Sequence, residues 1–430
     1  MASTSNGSNV NMQQIEQELI KHLNVLYGDP QNLKGREQFV AANKFLTEFR
    51  KHPQAWNVCL TILSQSTNTT NNNTASANTT NFQILTFSSQ TVYDNLLENW
   101  RNINEPQRMQ IVTTLQKFIQ SFSDKHLPSY LQPSTANNHV NQRNQQLMHQ
   151  NFRFIFNKTC QTIAFLALNA NQATNMIESV LKSCLSIQLP QQLSLLWVNL
   201  EILNAFALEF EQHHVSETII SETRDFLTTK YRDAFLKIMV CSLLAAQKYQ
   251  TTLVRLVQLT FATLKHWIKI VDITLERMDY IGLLDEVLKV MYFLYQSGDH
   301  AQAKQFMVES ISRIVNKGIV NSDDRNDYEK ILHKISMTLS KLEPSLQKAI
   351  QSNHMDTIRS LCNLICSFCE TEARFIAKGD GVNLNLVKMI LQFTSHSSTM
   401  ITTETFGFWA RLQDIGMNDR HPSLQKDVFL

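Results

Sequence analysis

Cys362-Asn-Leu-Ile-Cys366-Ser-Phe-Cys369 is the pattern in this sequence that most resembles a chemical motif. Spacings of four and then three are those with which radical enzymes bring three thiolates onto three irons of an iron–sulfur cluster. On a helix, the same spacings put the cysteines on one face, where Ile358, Leu361, Ile365, Phe368 and Phe375 interleave with them. No glycine or proline lies between Asp356 and Ala377 to form a cluster loop. The thiols therefore read as core, a common place for free cysteine. His213-His214 sits beside Glu209 and Glu211. Adjacent histidines project about 100° apart on a helix and cannot ligate jointly as an i, i+4 pair would, so they read as cations near a helix C-terminus. Asp323-Asp324 falls at an expected helix start, where acids complement the dipole. Phe152, Phe154 and Phe156 alternate like a stripe for stacking bases, but they flank only Arg153 and read as helix packing. There is no Gly-x-Ser-x-Gly, no glycine-rich phosphate loop and no kinase set. No enzymatic chemistry, cofactor or metal is expected.

The elements that hold these residues are helices. Glycine numbers 10 and proline 8 in 430 residues, against a usual glycine share of about 7%. So few turn-formers argue against Rossmann, P-loop and β-barrel architectures. The formal charge of +2 gives no field pointing to nucleic acid or an anionic membrane. The polar stretch Met1 to Gln14 has the character of neither a secretory signal nor a transit peptide, and no segment is expected to supply the roughly 20 apolar residues of a membrane span. Seven thinly spread cysteines do not suggest a disulfide framework. The chain reads as soluble and cytosolic or nuclear.

Apolar residues recur with helical period. In 251–273 they fall at Leu253, Leu256, Val257, Phe261, Leu264, Trp267, Ile268 and Val271, and in 36–51 at Phe39, Ala42, Leu46 and Phe49. Breakers separate such segments at Gly28-Asp29-Pro30, His52-Pro53, Glu105-Pro106, Leu189-Pro190, Gly298-Asp299 and Gly379-Asp380-Gly381. The expected antiparallel pairs are 15–27 with 36–51, 53–65 with 81–101, 105–122 with 147–170, 173–187 with 190–213, 217–246 with 251–273, 276–296 with 300–317, 323–350 with 355–378, and 383–396 with 399–415. Many repeat at the period of about 40–47 residues found in HEAT and armadillo arrays, and no 34-residue tetratricopeptide signature recurs. Residues 1–13 read as disordered. The Asn/Thr-rich tract 66–81 and the polar stretch 123–146 read as loop insertions. The solenoid is thus expected over 14–122 and 147–415, with a tail at 416–430.

Several of these helices carry a more specific pattern. Leu26-Tyr27-Gly28-Asp29-Pro30, Ala41-Ala42-Asn43-Lys44-Phe45-Leu46-Thr47-Glu48-Phe49 after Arg36, His52-Pro53-Gln54-Ala55-Trp56 and Phe87-Ser88-Ser89-Gln90-Thr91-Val92-Tyr93 follow one another in the first hundred residues. Leu361 to Thr371, with its Cys-x6-Cys-Glu-Thr ending, and Phe406-Gly407-Phe408-Trp409-Ala410-Arg411-Leu412 come near the end. In this order they resemble the importin-β (karyopherin) superfamily, closest to its transportin-SR and importin-thirteen branch, over about 15 to 415.

That resemblance implies an all-α fold: a right-handed superhelical solenoid of about eight antiparallel HEAT-like pairs. It implies a non-enzymatic receptor that shuttles between cytoplasm and nucleus. Its implied partners are protein cargo, the GTP form of the small GTPase Ran, and Phe-Gly nucleoporins, with no nucleic acid and no membrane insertion. The Ran contacts it implies are Gln38, Asn43 and Lys44 on 36–51, and Gln90 and Asp94 on 81–101. The family's arrays continue through further repeats, so a shortened relative or a part of such a receptor is expected. The family is usually acidic. This near-neutral chain is not expected to steer basic cargo as strongly.

Overall fold

A computed structural model of the protein describes residues 6–27, 35–66, 75–131, 139–170, 172–188, 192–212, 216–248, 253–271, 273–296, 307–308, 311 and 325–426. Every regular element among them is helical. The helices fall into two compact units, Met1–Phe226 and Leu227–Leu430.

In the first unit the helices are α1 (Asn6–Tyr27), α2 (Gly35–Arg50), α3 (Ala55–Ser66), α4 (Ala75–Asn99), α5 (Glu105–Leu131), α6 (His139–Asn169), α7 (Ala173–Leu185), α8 (Leu193–Glu211) and α9 (Glu217–Phe226). Each of α1 to α8 packs on its sequence partner as α1–α2, α3–α4, α5–α6 and α7–α8. In addition α1, α3 and α5 touch in succession, and so do α4, α6 and α8. In these runs first helices stack on first helices and second on second, as in a helical repeat solenoid, so that neighbouring pairs cover the apolar faces they would otherwise leave open.

Local signals set the helix ends. Asn104 opens α5 with a reciprocal capping box: Gln107 N–H donates to Asn104 Oδ1 at 2.9 Å and Asn104 N–H to Gln107 Oε1 at 3.3 Å, with Pro106 in the first turn. The α2–α3 turn is tied by Asn95 of α4, whose buried Nδ2 donates to Arg50 O at 2.8 Å and His52 O at 3.2 Å. Asn95→Ala removes the side-chain donor from Arg50 O, while His52 O keeps its bond from Ala55 N–H at 2.9 Å, so urea denaturation should show a loss of about 1–3 kcal/mol. A midpoint equal to wild type would mean that water replaces the amide.

Several expectations need correction. Residues 123–131, read as part of a polar loop, form the last turns of α5, with Leu127, Tyr130 and Leu131 buried. Tyr130 stacks on Phe152 at 4.5 Å, so tertiary packing overrides the polar composition and Pro128. Helix also reaches back to Asn6, Ala75 and His139, because propagation from a packed segment is cheap. Phe39, assigned to the buried stripe of α2, is 44% exposed, while Ala42, Leu46 and Phe49 are buried. Phe152 and Phe156 do pack inward, 5.0 Å apart on α6, as the helix-packing reading of that run expects. Contrary to the expected absence of any membrane-length segment, α8 is long and apolar enough to cross a membrane, but 72% of its most apolar window is buried inside the protein.

The second unit opens on a π-helical turn, Leu227–Tyr231. It continues with α10 (Arg232–Lys248), α11 (Leu253–Ile270), α12 (Leu275–Ile281), α13 (Leu283–Gln296), α14 (Arg325–Ser340), α15 (Glu343–Gln351), α16 (Met355–Thr371), α17 (Ala373–Lys378), α18 (Gly381–Thr394), α19 (Thr399–Glu404), α20 (Phe406–Gln413) and α21 (Ser423–Lys426). On α11 the expected stripe from Leu256 to Val271 is buried. Expected single helices are broken where the chain demands it. Gly282, at φ 83°, ends α12 in the left-handed conformation, and Glu343-Pro344 starts α15. The helix expected at 300–317 lies outside the described residues except for Met307, Val308 and Ile311, which are buried. His213-His214, Asp323-Asp324 and residues 67–74 of the Asn/Thr tract also lie outside them.

Candidate functional site

The five polar positions proposed on the N-terminal helices form two groups. Gln38, Asn43 and Lys44 are exposed on α2. Gln90 and Asp94 lie one turn apart on α4, and Gln90 Nε2 donates to Asp94 Oδ1 at 2.5 Å. Such an i, i+4 pair stabilises a helix by about 0.2–0.5 kcal/mol, a cost that a partner must recover on breaking it. The two helices meet farther along. Phe49 and Phe87 rings lie 6.3 Å apart, and the Arg50 guanidinium sits 4.5 Å over Phe87. Among the described residues no hydrogen bond or ion pair joins the α2 group to the α4 group.

Behind Gln90 and Asp94, α4 carries a buried polar link. Tyr93 Oη donates to Glu209 Oε1 of α8 at 3.3 Å, and the Lys158 ammonium of α6 lies 4.2 Å over the Tyr93 ring. Glu209 is fully buried, and burial pushes its carboxyl up to about 7 against the opposing pull of Tyr93 and Lys158. Glu201, one side of the same helix, is pushed up to about 7 by burial, with Arg153 opposing. Burial and Glu209 push the Tyr93 phenol up in turn. Sequence reasoning passed over Glu201 and noted Glu209 only as a neighbour of His213-His214. The available signal was two carboxylates inside α8, the most apolar of the described helices.

In the second unit a cavity of about 1010 Å³ opens beside α16, lined by Asn363, Cys366, Glu370, Glu404, Arg411 and Asp414 among others. Carboxylates outnumber guanidiniums on its wall. Glu370 lies so close to the backbone of α20 that a Cβ on Gly407 would collide with its carboxylate. Glu372 accepts a hydrogen bond from Tyr328 Oη at 2.8 Å, and burial raises its carboxyl. Cys362, Cys366 and Cys369 are all buried, as their helical spacing predicts. Among the described residues no three or more His, Cys, Asp or Glu side chains are placed to hold a metal ion. A second cleft of about 730 Å³ lies around Arg277 and Tyr280, where charges are internally compensated: Arg277 pairs with Asp233, and Lys334 with Asp279 at 2.6 Å.

The wall of the larger cavity lies mostly in a stretch that comparison with known families singles out. Residues 353–429, from the turn before α16 through α21, match the family model described as Transportin-3/Importin-13 second TPR domain. This is a domain of the karyopherin family, and the match agrees with the transportin and importin-thirteen branch to which the Cys-Glu-Thr and Phe-x-Phe-Trp helices pointed. The description counts these helix pairs as tetratricopeptide, where their period alone reads as HEAT-like; both are stacked antiparallel helices. No curated protein matches the chain.

Proposed function

We propose that this chain, whose residues 353–429 match a transport-receptor domain, is an importin-like nuclear transport receptor or the working front of one. The observation that carries the reading is that match, at the two C-terminal helices that independently resemble the family. The stacked helix pairs supply the scaffold such receptors require. On this reading the exposed face of α2 with Gln38, Asn43 and Lys44, and that of α4 with Gln90 and Asp94, meet GTP-bound Ran. Protein cargo binds farther along the array, Phe-Gly nucleoporins bind between outer helices, and the protein shuttles between cytoplasm and nucleus. Ran and cargo act by linkage, each favouring a different arrangement of the same repeats.

The test is capture of Ran loaded with GTP or with GDP by the purified chain. The GTP form should be retained selectively, and Lys44→Glu with Gln90→Lys should weaken it at least about tenfold, as charge mismatch at an interface does. Equal or absent capture of both forms by a chain with intact helical circular dichroism favours a second reading, a repeat scaffold that binds proteins without a Ran switch. The Gln90–Asp94 bond favours that alternative, because it occupies two of the proposed contacts with each other.

A further inference from the structure

Cys362 Sγ and Cys366 Sγ lie 3.8 Å apart inside α16, one turn from each other, and Cys362 Sγ lies 3.6 Å from the Ile401 carbonyl oxygen. Cβ atoms four residues apart on a helix are about 5–6 Å from one another. A disulfide holds its Cβ atoms at about 3.5–4.5 Å, so oxidative closure would require the turn to unwind. A larger bridging atom needs no such movement. Two bonds of about 2.3 Å from sulfur to one centre, meeting near the tetrahedral angle, span about 3.8 Å. A four-coordinate ion would need further ligands, and among the described residues no set of three or more His, Cys, Asp or Glu is placed to provide them. The geometry suits a soft centre satisfied by two thiolates. Organic trivalent arsenic is such a centre: carbon supplies its third bond and a lone pair fills the fourth direction. Cys366 lines the cavity beside α16 and gives a route in; Cys362 lies behind it, fully buried.

We propose that Cys362 and Cys366 form a dithiol site that captures trivalent organoarsenicals through the cavity bounded by α16, α17 and α20. In the capture step the arsenic–oxygen bonding of R–As=O is replaced by two arsenic–sulfur bonds. Both thiol protons leave with the oxygen as one water, and arsenic remains trivalent. No oxidant or reductant takes part. Cys369, three residues beyond Cys366, is buried and is not one of the two thiols.

The probe is phenylarsine oxide on the full-length chain, with all its cysteines reduced and no added thiol in the buffer, read by intact mass. One arsenical per chain should add, survive excess monothiol and leave with a dithiol. Cys362→Ser or Cys366→Ser should each weaken retention at least about a hundredfold, because the second bond loses its effective concentration. Cys369→Ser should retain it. In the wild-type adduct, alkylation after denaturation should spare Cys362 and Cys366 and label Cys369. This mapping needs no variant and decides the matter if a serine variant fails to fold. Retention by either serine variant, protection of any other cysteine pair, or no adduct on the folded chain would overturn the proposal.

Discussion

Glu209→Gln should make the protein about 3 kcal/mol more stable than wild type at pH 8 and leave the two level near pH 4.5. The sign follows from burial. The Glu209 carboxyl ordinarily loses its proton near 4.5 but holds it to about 7 in the folded chain. Between those values the folded state binds more protons than the unfolded one, so stability falls as pH rises through this window. Above it, the unfavourable buried charge is present in full. Glutamine keeps an acceptor for Tyr93 Oη and cannot ionise. Glu201→Gln should act alike, from a carboxyl also pushed up to about 7. His126 works in the opposite sense. Burial lowers its imidazole from 6.5 to about 4, so its share of stability grows as pH rises between those values. Variant minus wild type at each pH, from urea midpoints, isolates the carboxyl. A constant difference from pH 4.5 to 8 would rule the account out.

Phe408→Ala should cost about 3–5 kcal/mol, while Phe406→Ala, two residues away on the same helix, should change stability by no more than about 0.5 kcal/mol. Phe408 is fully buried where α20 packs on α16 and α17, with its ring 5.0 Å from Trp409; Phe406 is 56% exposed. Trp409 anchors the same helix from its edge, its indole N–H donating to Thr394 Oγ1 at 2.9 Å. Thermal unfolding of the two variants side by side checks the contrast. Equal midpoints would mean that α20 does not pack as described.

The helices were legible because burial on one face writes a period into the sequence. The stripe of α11 is the clearest case, and the Glu105-Pro106 breaker marked the start of α5 through short-range chemistry alone. What the sequence hid was non-local. Residues 123–131 look polar in isolation and become helical because Tyr130 finds Phe152 and Trp197 on other helices. Phe39 continues the α2 stripe by spacing but lies where no described neighbour covers it fully. The polar positions of α2 and α4 could be chosen from family likeness, whereas the Gln90–Asp94 bond could not. Glu209 was visible only as a residue near a helix end. Its meaning depends on Tyr93, 116 positions away.

Inside the helices, many hydroxyls are spoken for by their own turn. Thr159, Thr162, Ser242 and Thr260, all buried, each donate to the carbonyl four residues back at 2.7–2.8 Å. Such groups add polarity to a helix without fastening it to the next one. Within each unit, neighbouring helices are therefore held mostly by apolar contact, which is non-directional and tolerates small sliding better than crossed hydrogen bonds do. The layers behave like lubricated plates, and links such as Tyr93 to Glu209 act as the rivets that locate them. Elastic strain imposed by a bound partner would spread as shear over many interfaces, and would concentrate wherever such a rivet resists.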